Sequence, residues 1–415
     1  MVGVSEAGFK AQQLNALINV KTAEKGLQFG VTKCKSMLIA KDKEHVLNSD
    51  LTVDKWKAVH NDESEPGEDT LVDIYEGQVP IEKTDEQKYL GFVLSSKGNN
   101  MVNISHVKKK SKGTIRRIFD KLNSLNLGQY YFESGLVMMN AMLRSSILYA
   151  CETYYNLKEG EIRQLERIEE QFLRELLKTS KGCPVIQLYL ELGQIPARFE
   201  IIKIRLLYLK YILDQNPSSM IFKFFELQLE STGRGDWTTM CLENLAYLNI
   251  NLSLEEIKNL SCNKFKSIVK QSIQNAALAY LIGKQGSKGG EIQYTEIYMA
   301  DYLLPINSEM SREEKQEVFS MRNKMTRIPA NYTSSTVKHE CVCGDQETME
   351  HVYTCTQLNS DKPETEYKTV YSNNIEIIKK VHRRFEENMK NREIILKERE
   401  NGSPCDPSCD PLYSV

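Results

Sequence analysis

Cys341 and Cys343 flank a single valine, seven residues separate them from His351, and three more lead to Cys355. Thiolate sulfur and imidazole nitrogen are donors that zinc prefers. Four protein donors close a tetrahedral site and leave no open position for substrate. The chemistry these residues offer is therefore structural metal binding rather than catalysis. Gly344 follows the second cysteine, where the backbone can turn tightly enough for amides to approach the sulfurs. His351 and Cys355 are four apart and would project from one face of a helix. His339, two residues before Cys341, is a competing donor, and the Cys-x-Cys gap is tighter than the common two-residue gap. The alternative is a set of reduced, exposed cysteines that holds no metal. If a metal binds, it contributes on the order of 10 kcal/mol to a segment of about 30 residues with almost no core, which is expected to unfold without it. Cys405 and Cys409 form a further pair without a histidine nearby, and their Pro- and Ser-rich surroundings read as an unstructured tail.

A second group of residues could meet phosphate. Lys108, Lys109, Lys110, Lys112, Arg116 and Arg117 crowd one short stretch, interleaved with Val107, Ile115, Ile118 and Phe119. On a helix the apolar residues would pin one side to the protein and turn the cations outward, where phosphates displace counterions. A solvated helix face or a nuclear import run would look the same. No aromatic ladder accompanies the cations, so the pattern carries no argument for base stacking. His45, His60, His106 and His382 sit in polar or charged surroundings and read as surface residues. With no nucleophile elbow or Gly-rich phosphate loop, they argue against an independent hydrolase.

The elements that must position these groups belong to a chain of 415 residues, 41% hydrophobic and 27% charged, with a net charge of -2. Any affinity for nucleic acid must come from local patches. No run approaches 18 apolar residues, and Met1-Val-Gly-Val-Ser-Glu6 lacks the marks of a signal peptide. The expectation is an intracellular protein, nuclear or cytoplasmic, with no membrane segment and with reduced thiols. Ten cysteines are too sparse for a disulfide scaffold.

The pattern predicts an α+β, mostly helical chain. Residues 1–100 read as mixed α/β: a helix around 6–28, strands at Val31–Ile39, Leu71–Tyr75 and Tyr89–Leu94, a polar loop at 41–69, and a turn at Ser95–Asn100. Residues 101–330 read as helical. Ile162, Leu165, Ile168, Phe172 and Leu176 mark one buried face over 159–178, with Arg163, Arg167, Glu169 and Glu170 on the other side. Phe199–Leu213 is apolar on most faces and reads as a buried central helix. Residues 331–360 form the Cys-Cys-His-Cys module, and 361–415 a charged helix with a loose tail.

Taken in order, these pieces resemble the downstream portion of a non-LTR (LINE-type) retrotransposon reverse transcriptase. Gly30-Val-Thr-Lys-Cys-Lys-Ser-Met-Leu-Ile39 is similar to the family's palm strand after the catalytic loop, with Lys33 and Lys35 matching its Lys-x-Lys element. Tyr89-Leu90-Gly91 is similar to the primer-grip turn. Ser146-Ile-Leu-Tyr-Ala-Cys-Glu152, the helix over 159–178 and Leu188–Pro196 resemble thumb and post-thumb segments, and the Cys/His module resembles the family's C-terminal zinc knuckle. The resemblance covers residues 1–360. It implies a remnant palm at 1–100, a helical thumb and connector at 101–330, and a structural zinc knuckle at 331–360. It also implies contact with RNA and DNA, namely element RNA and target-site DNA, through Lys33, Lys35, Tyr89, Leu90, Gly91 and the basic stretch.

Two departures matter. The three-residue gap from His351 to Cys355 is one shorter than the gap often seen in that motif. The family's polymerase carboxylates, which hold two magnesium ions, include an Asp-Asp pair, and this sequence contains no Asp-Asp dipeptide. Met1–Ser5 is similar to the strand just after that pair, so the resemblance implies a fragment that does not polymerise DNA by itself. The competing expectation is an element-derived host protein that serves as a zinc-stabilised helical scaffold for protein partners.

Overall fold

Apolar residues at intervals of three and four dominate the chain beyond residue 100, and the protein is mainly helical there. The computed structural model describes residues 13–14, 16–22, 24–25, 35–37, 52–60, 71–154, 156–179, 181, 183–230, 236–286, 308–323, 340–372 and 374–402. At 35–36, 52–60, 71–78, 83, 284–286 and 400–402 the backbone alone is described. Lys33, His45, His339, Cys405 and Cys409 lie outside the described residues. Chain contacts divide the molecule between Lys109 and Lys110 into two units.

In the first unit, residues 13–14, 16–22 and 24 are helical (α1), and Leu14, Leu17, Ile18 and Val20 are exposed. Its described strands form three two-stranded pairs. Strand β1 (Lys35–Ser36) lies parallel to β4 (Glu82–Lys83). Strand β2 (Thr52–His60) runs antiparallel to β3 (Leu71–Pro80). The polar loop expected over 41–69 is therefore partly a strand. A register shift between Lys55 and Trp56 interrupts the alternation by which a strand is recognised in sequence. Strand β5 (Glu86–Tyr89) pairs with β6 (Phe92–Ser95). The single strand expected over Tyr89–Leu94 is instead a hairpin, reversed at Leu90 and Gly91 with φ of 46° and 95°. Two successive left-handed residues make the tight turn that suits the twist of paired strands. A leucine in that region is uncommon, so the residue pattern alone gives one strand here, although the resemblance places a turn at Tyr89-Leu90-Gly91. The turn expected after Ser95 is present, with the Gly98 N–H donating to the Ser95 carbonyl at 3.0 Å.

Helix α2 (Asn100–Ser124) leads into the second unit. It is followed by α3 (Tyr131–Met138), a π-helical turn over Met139–Arg144, the short α4 (Ser145–Ile147) and α5 (Glu159–Leu176). The predicted face of α5 holds, since Leu165, Ile168, Phe172 and Leu176 are buried. Its opposite side does not, because Glu166, Glu169 and Glu170 are buried as well. Arginines, two of them from other elements, explain this. Arg144 Nε donates to Glu169 at 2.8 Å, Arg198 Nε to Glu166 at 2.6 Å, and Arg163 pairs with Glu170. Burial raises the Glu169 and Glu170 carboxyls while their arginines pull them back.

Next come α6 (Val185–Glu191), α7 (Ala197–Leu213), α8 (Met220–Glu230), α9 (Trp237–Tyr247), α10 (Leu254–Asn259) and α11 (Cys262–Gly286). Helix α7 is the central helix that its composition predicts. Phe199, Leu206, Leu209 and Ile212 pack into one core with Cys241, Leu245, Ile257, Phe265, Val269 and Ile273. Its Lys210 is also buried, and it is satisfied by Asp214 and by the Lys258 carbonyl.

The chain closes with α12 (Arg312–Arg322), α13 (Met349–Thr354), a 3-10 turn over Tyr367–Tyr371 and the long α14 (Ile375–Gly402). Tyr353, Tyr367 and Phe385 form an aromatic row with ring centroids 5.8 and 6.4 Å apart. No helix among the described residues is long and apolar enough to cross a membrane.

Candidate metal centre and basic helix face

The four predicted donors come together. The Sγ atoms of Cys341, Cys343 and Cys355 and a ring nitrogen of His351 all lie within 4.8 Å of one another. A tetrahedron with zinc–sulfur bonds of about 2.3 Å has a sulfur–sulfur edge of about 3.8 Å. Cys341 and Cys355 stand 3.8 Å apart. The Cys343 sulfur is 3.1 Å from His351 Nε2, about half an ångström inside the edge zinc would set. Cys341 and Cys355 are buried, and Cys343 and His351 are half-buried. Burial pushes the Cys341 thiol up to about 12 and raises Cys343 as well. Such thiols ionise readily only when a cation replaces their protons. Three sulfurs and one imidazole form a closed donor set that can hold a metal ion and leaves no place for a reacting ligand.

Local sequence explains how the donors converge. The chain reverses over Cys341–Asp345, where the Cys341 N–H donates to the Asp345 carbonyl at 2.7 Å and the Gly344 N–H to the Cys341 carbonyl at 2.9 Å. Gly344 has φ of 95°, which a side chain would strain. Thr348 caps α13, its hydroxyl accepting from the His351 N–H at 3.0 Å. One turn later the Cys355 N–H donates to the His351 carbonyl, fixing two ligands on successive turns.

The module does not stand alone, contrary to the expectation of a segment without a core. One side of α14 clamps it. Asn388 Nδ2 donates to the Val352 and Tyr353 carbonyls at 2.7 and 3.2 Å, and Arg384 Nε to Tyr353 at 3.0 Å. These satisfy carbonyls that a six-residue helix leaves open. Asn391 donates to the Leu358 carbonyl, and Arg399 to the Val342 carbonyl at 2.8 Å. Arg392 holds the fully buried Glu347 with both Nε and a terminal nitrogen. Reasoning from the sequence missed these residues. The available signal was the run of polar side chains at 384, 388, 391 and 392, which recur at helical spacing within an otherwise charged segment.

Replacing Arg392 with Ala should leave the Glu347 carboxylate buried without its charged partner. Groups that orient metal ligands typically affect affinity by about 10- to 100-fold. Competition with a chromogenic chelator should show a loss in that range. Unchanged affinity in a folded variant would mean that the clamp does not support the site.

The basic stretch also behaves as its pattern predicts. In α2, Val107, Ile115, Ile118 and Phe119 are buried, while Lys108, Lys109, Lys110, Lys112, Arg116 and Arg117 are exposed. Arg116 lies 3.9 Å from exposed Asp120, and Arg117 bonds within its own helix. Among the described residues, none of the four lysines pairs with a carboxylate. Tyr89 and Leu90 are exposed beside Gly91 at the tip of the β5–β6 hairpin. Lys35 begins β1, where the backbone alone is described.

Several titratable groups elsewhere are engaged with one another. A recess of about 230 Å³ is lined by Glu159, Arg163, Glu166, Tyr189 and Tyr280. Arg198 holds both Glu159 and Glu166 there. His382 is buried and bonded to Glu317, which corrects its reading as a surface histidine; the partner lies 65 residues away in sequence. Comparison with protein-family models, with curated proteins and with solved structures finds no match.

Proposed function

We propose that this chain is the part of a LINE-type reverse transcriptase that lies downstream of the catalytic loop, and that it holds nucleic acid without reacting it. The observation that carries the reading is the basic face of α2: six exposed cations, with the interleaved apolar residues buried on the other side. Phosphates binding there release counterions, a driving force that needs no base contacts. The exposed Tyr89–Gly91 tip is the primer-grip turn on this reading, and residues 1–100 are remnant palm. The donor set at Cys341, Cys343, His351 and Cys355 holds a structural zinc ion, which keeps the C-terminal module in one arrangement. No residue of this chain is assigned polymerase chemistry.

Binding of the zinc-loaded full chain to a labelled 20-nucleotide single strand, followed by anisotropy across a salt series, tests the reading. Lys108, Lys112 and Arg116 are spaced at four residues along one stripe. Replacing all three with Ala should make the salt slope shallower by about 2, at about 0.7 per phosphate on a single strand. Failure of the unaltered chain to bind DNA or RNA would sink it. That result would favour the second reading, a scaffold for protein partners, which draws support from exposed Met220, Phe224 and Leu227 along α8.

A further inference from the structure

Helix α11 is a second amphipathic cation carrier, and nothing in its sequence motif announces it. Phe265, Val269, Ile273, Ala277 and Leu281 recur every four residues, and all are buried. The first four belong to the core built around α7, so the helix is firmly seated. Outside that stripe it carries exposed Lys266 and Lys270 on one flank and exposed Lys264 on the other, with exposed Ser267, Gln271, Gln274 and Asn275 between them.

The 25 residues of α11 contain no Asp or Glu, in a chain whose acidic residues (56) outnumber its Lys and Arg (54). Among the described residues, Lys264, Lys266 and Lys270 form no ion pair. Some lysines elsewhere do have carboxylate partners within a turn, as Lys210 has Asp214 and Lys203 has Glu200. Lys266 and Lys270 face the same way one turn apart, so they repel each other with no internal counter-charge. An external polyanion relieves that repulsion. The neutral groups between the lysines are hydroxyl and amide donors, the kind that reach phosphate and sugar oxygens. No aromatic ring lies among these exposed residues, so base stacking has no platform here.

We infer that the outer face of α11 is a phosphate-backbone contact for nucleic acid, separate in sequence from the basic face of α2 and indifferent to base identity. Its role rests on the nucleic-acid reading above and extends the bound strand over a second helix. The test uses the full zinc-loaded chain with Lys264, Lys266 and Lys270 replaced together by Ala. These side chains are exposed, and thermal melting verifies the fold.

Against a 20-nucleotide oligo(dT) strand and an oligo(dA) strand, the triple variant should bind more weakly than the parent. Its salt slope should be shallower by about 2 on both strands, at about 0.7 per lost phosphate contact. An unchanged slope, with the α2 triple variant still losing its own, overturns the α11 assignment and leaves the α2 reading standing. No binding by the unaltered chain overturns both. Binding to polyglutamate that depends on the same three lysines, with oligonucleotide binding untouched, reassigns the face to acidic protein partners and overturns the inference.

Discussion

Removing the metal should unfold the segment from Cys341 to Cys355 while leaving the helical core intact. Zinc bound by four such ligands is worth on the order of 10 kcal/mol. Without it, three thiols crowd one another beside an imidazole, two of them buried. The α14 hydrogen bonds to Val342, Val352, Tyr353 and Leu358 oppose unfolding, each contributing about 1 kcal/mol net. They are too weak together to replace the metal. Metal analysis of the purified chain should find one zinc per molecule. Replacing Cys355 with Ala, or dialysing against a strong chelator, should bring that to near zero. Limited proteolysis should then cut within 340–358, while the core around α7 stays protected. A metal-free chain with the same melting temperature and digestion pattern would instead support the reading of these residues as plain reduced cysteines.

Glu191→Ala should be among the most destabilising single changes in the second unit. Arg322 is buried, and its three nitrogens reach Glu191 at 3.1 Å, the Val370 carbonyl at 2.9 Å and the Ser372 carbonyl at 3.3 Å. The second Glu191 oxygen accepts from Asn323 at 3.3 Å. The pair therefore ties α6 to α12 and to the turn before α14. Removing one partner of a buried ion pair costs about 3–5 kcal/mol, because the remaining charge has neither water nor counter-ion. Urea unfolding monitored by circular dichroism should show a loss of that size. A Glu191→Gln variant should recover part of it by retaining hydrogen bonds to Arg322 and Asn323. A loss below about 1 kcal/mol for Glu191→Ala would mean that water reaches Arg322.

The donor cluster was legible in sequence because its information is local. Cys341 to Cys355 span 15 positions, the turn needs Gly344, and one helical turn places His351 over Cys355. The basic face of α2 was legible for the same reason, since helical periodicity alone puts Arg116 and Ile118 on opposite sides. The buried glutamates of α5 were not. Glu169 looks like a surface residue until Arg144, 25 residues earlier, is brought against it. Glu191 and Arg322 are 131 residues apart, and His382 and Glu317 are 65 apart. No window on the sequence contains both members of such a pair. The β5–β6 hairpin was legible only through the resemblance at Tyr89-Leu90-Gly91: its turn begins with leucine, a residue whose side chain gives no hint of a left-handed backbone.

The clamp on the metal module has a consequence for how the protein is made. Arg399 reaches back to the carbonyl of Val342, which precedes it by 57 residues. At about 5–20 residues per second, the ribosome adds that donor roughly 3–11 s after it has added Val342. For the later part of that interval, once Cys355 has been added, a nascent chain carries all four donors without Arg399. A metal ion captured in that window would be held by the four donors alone until the C-terminal helix packs against them.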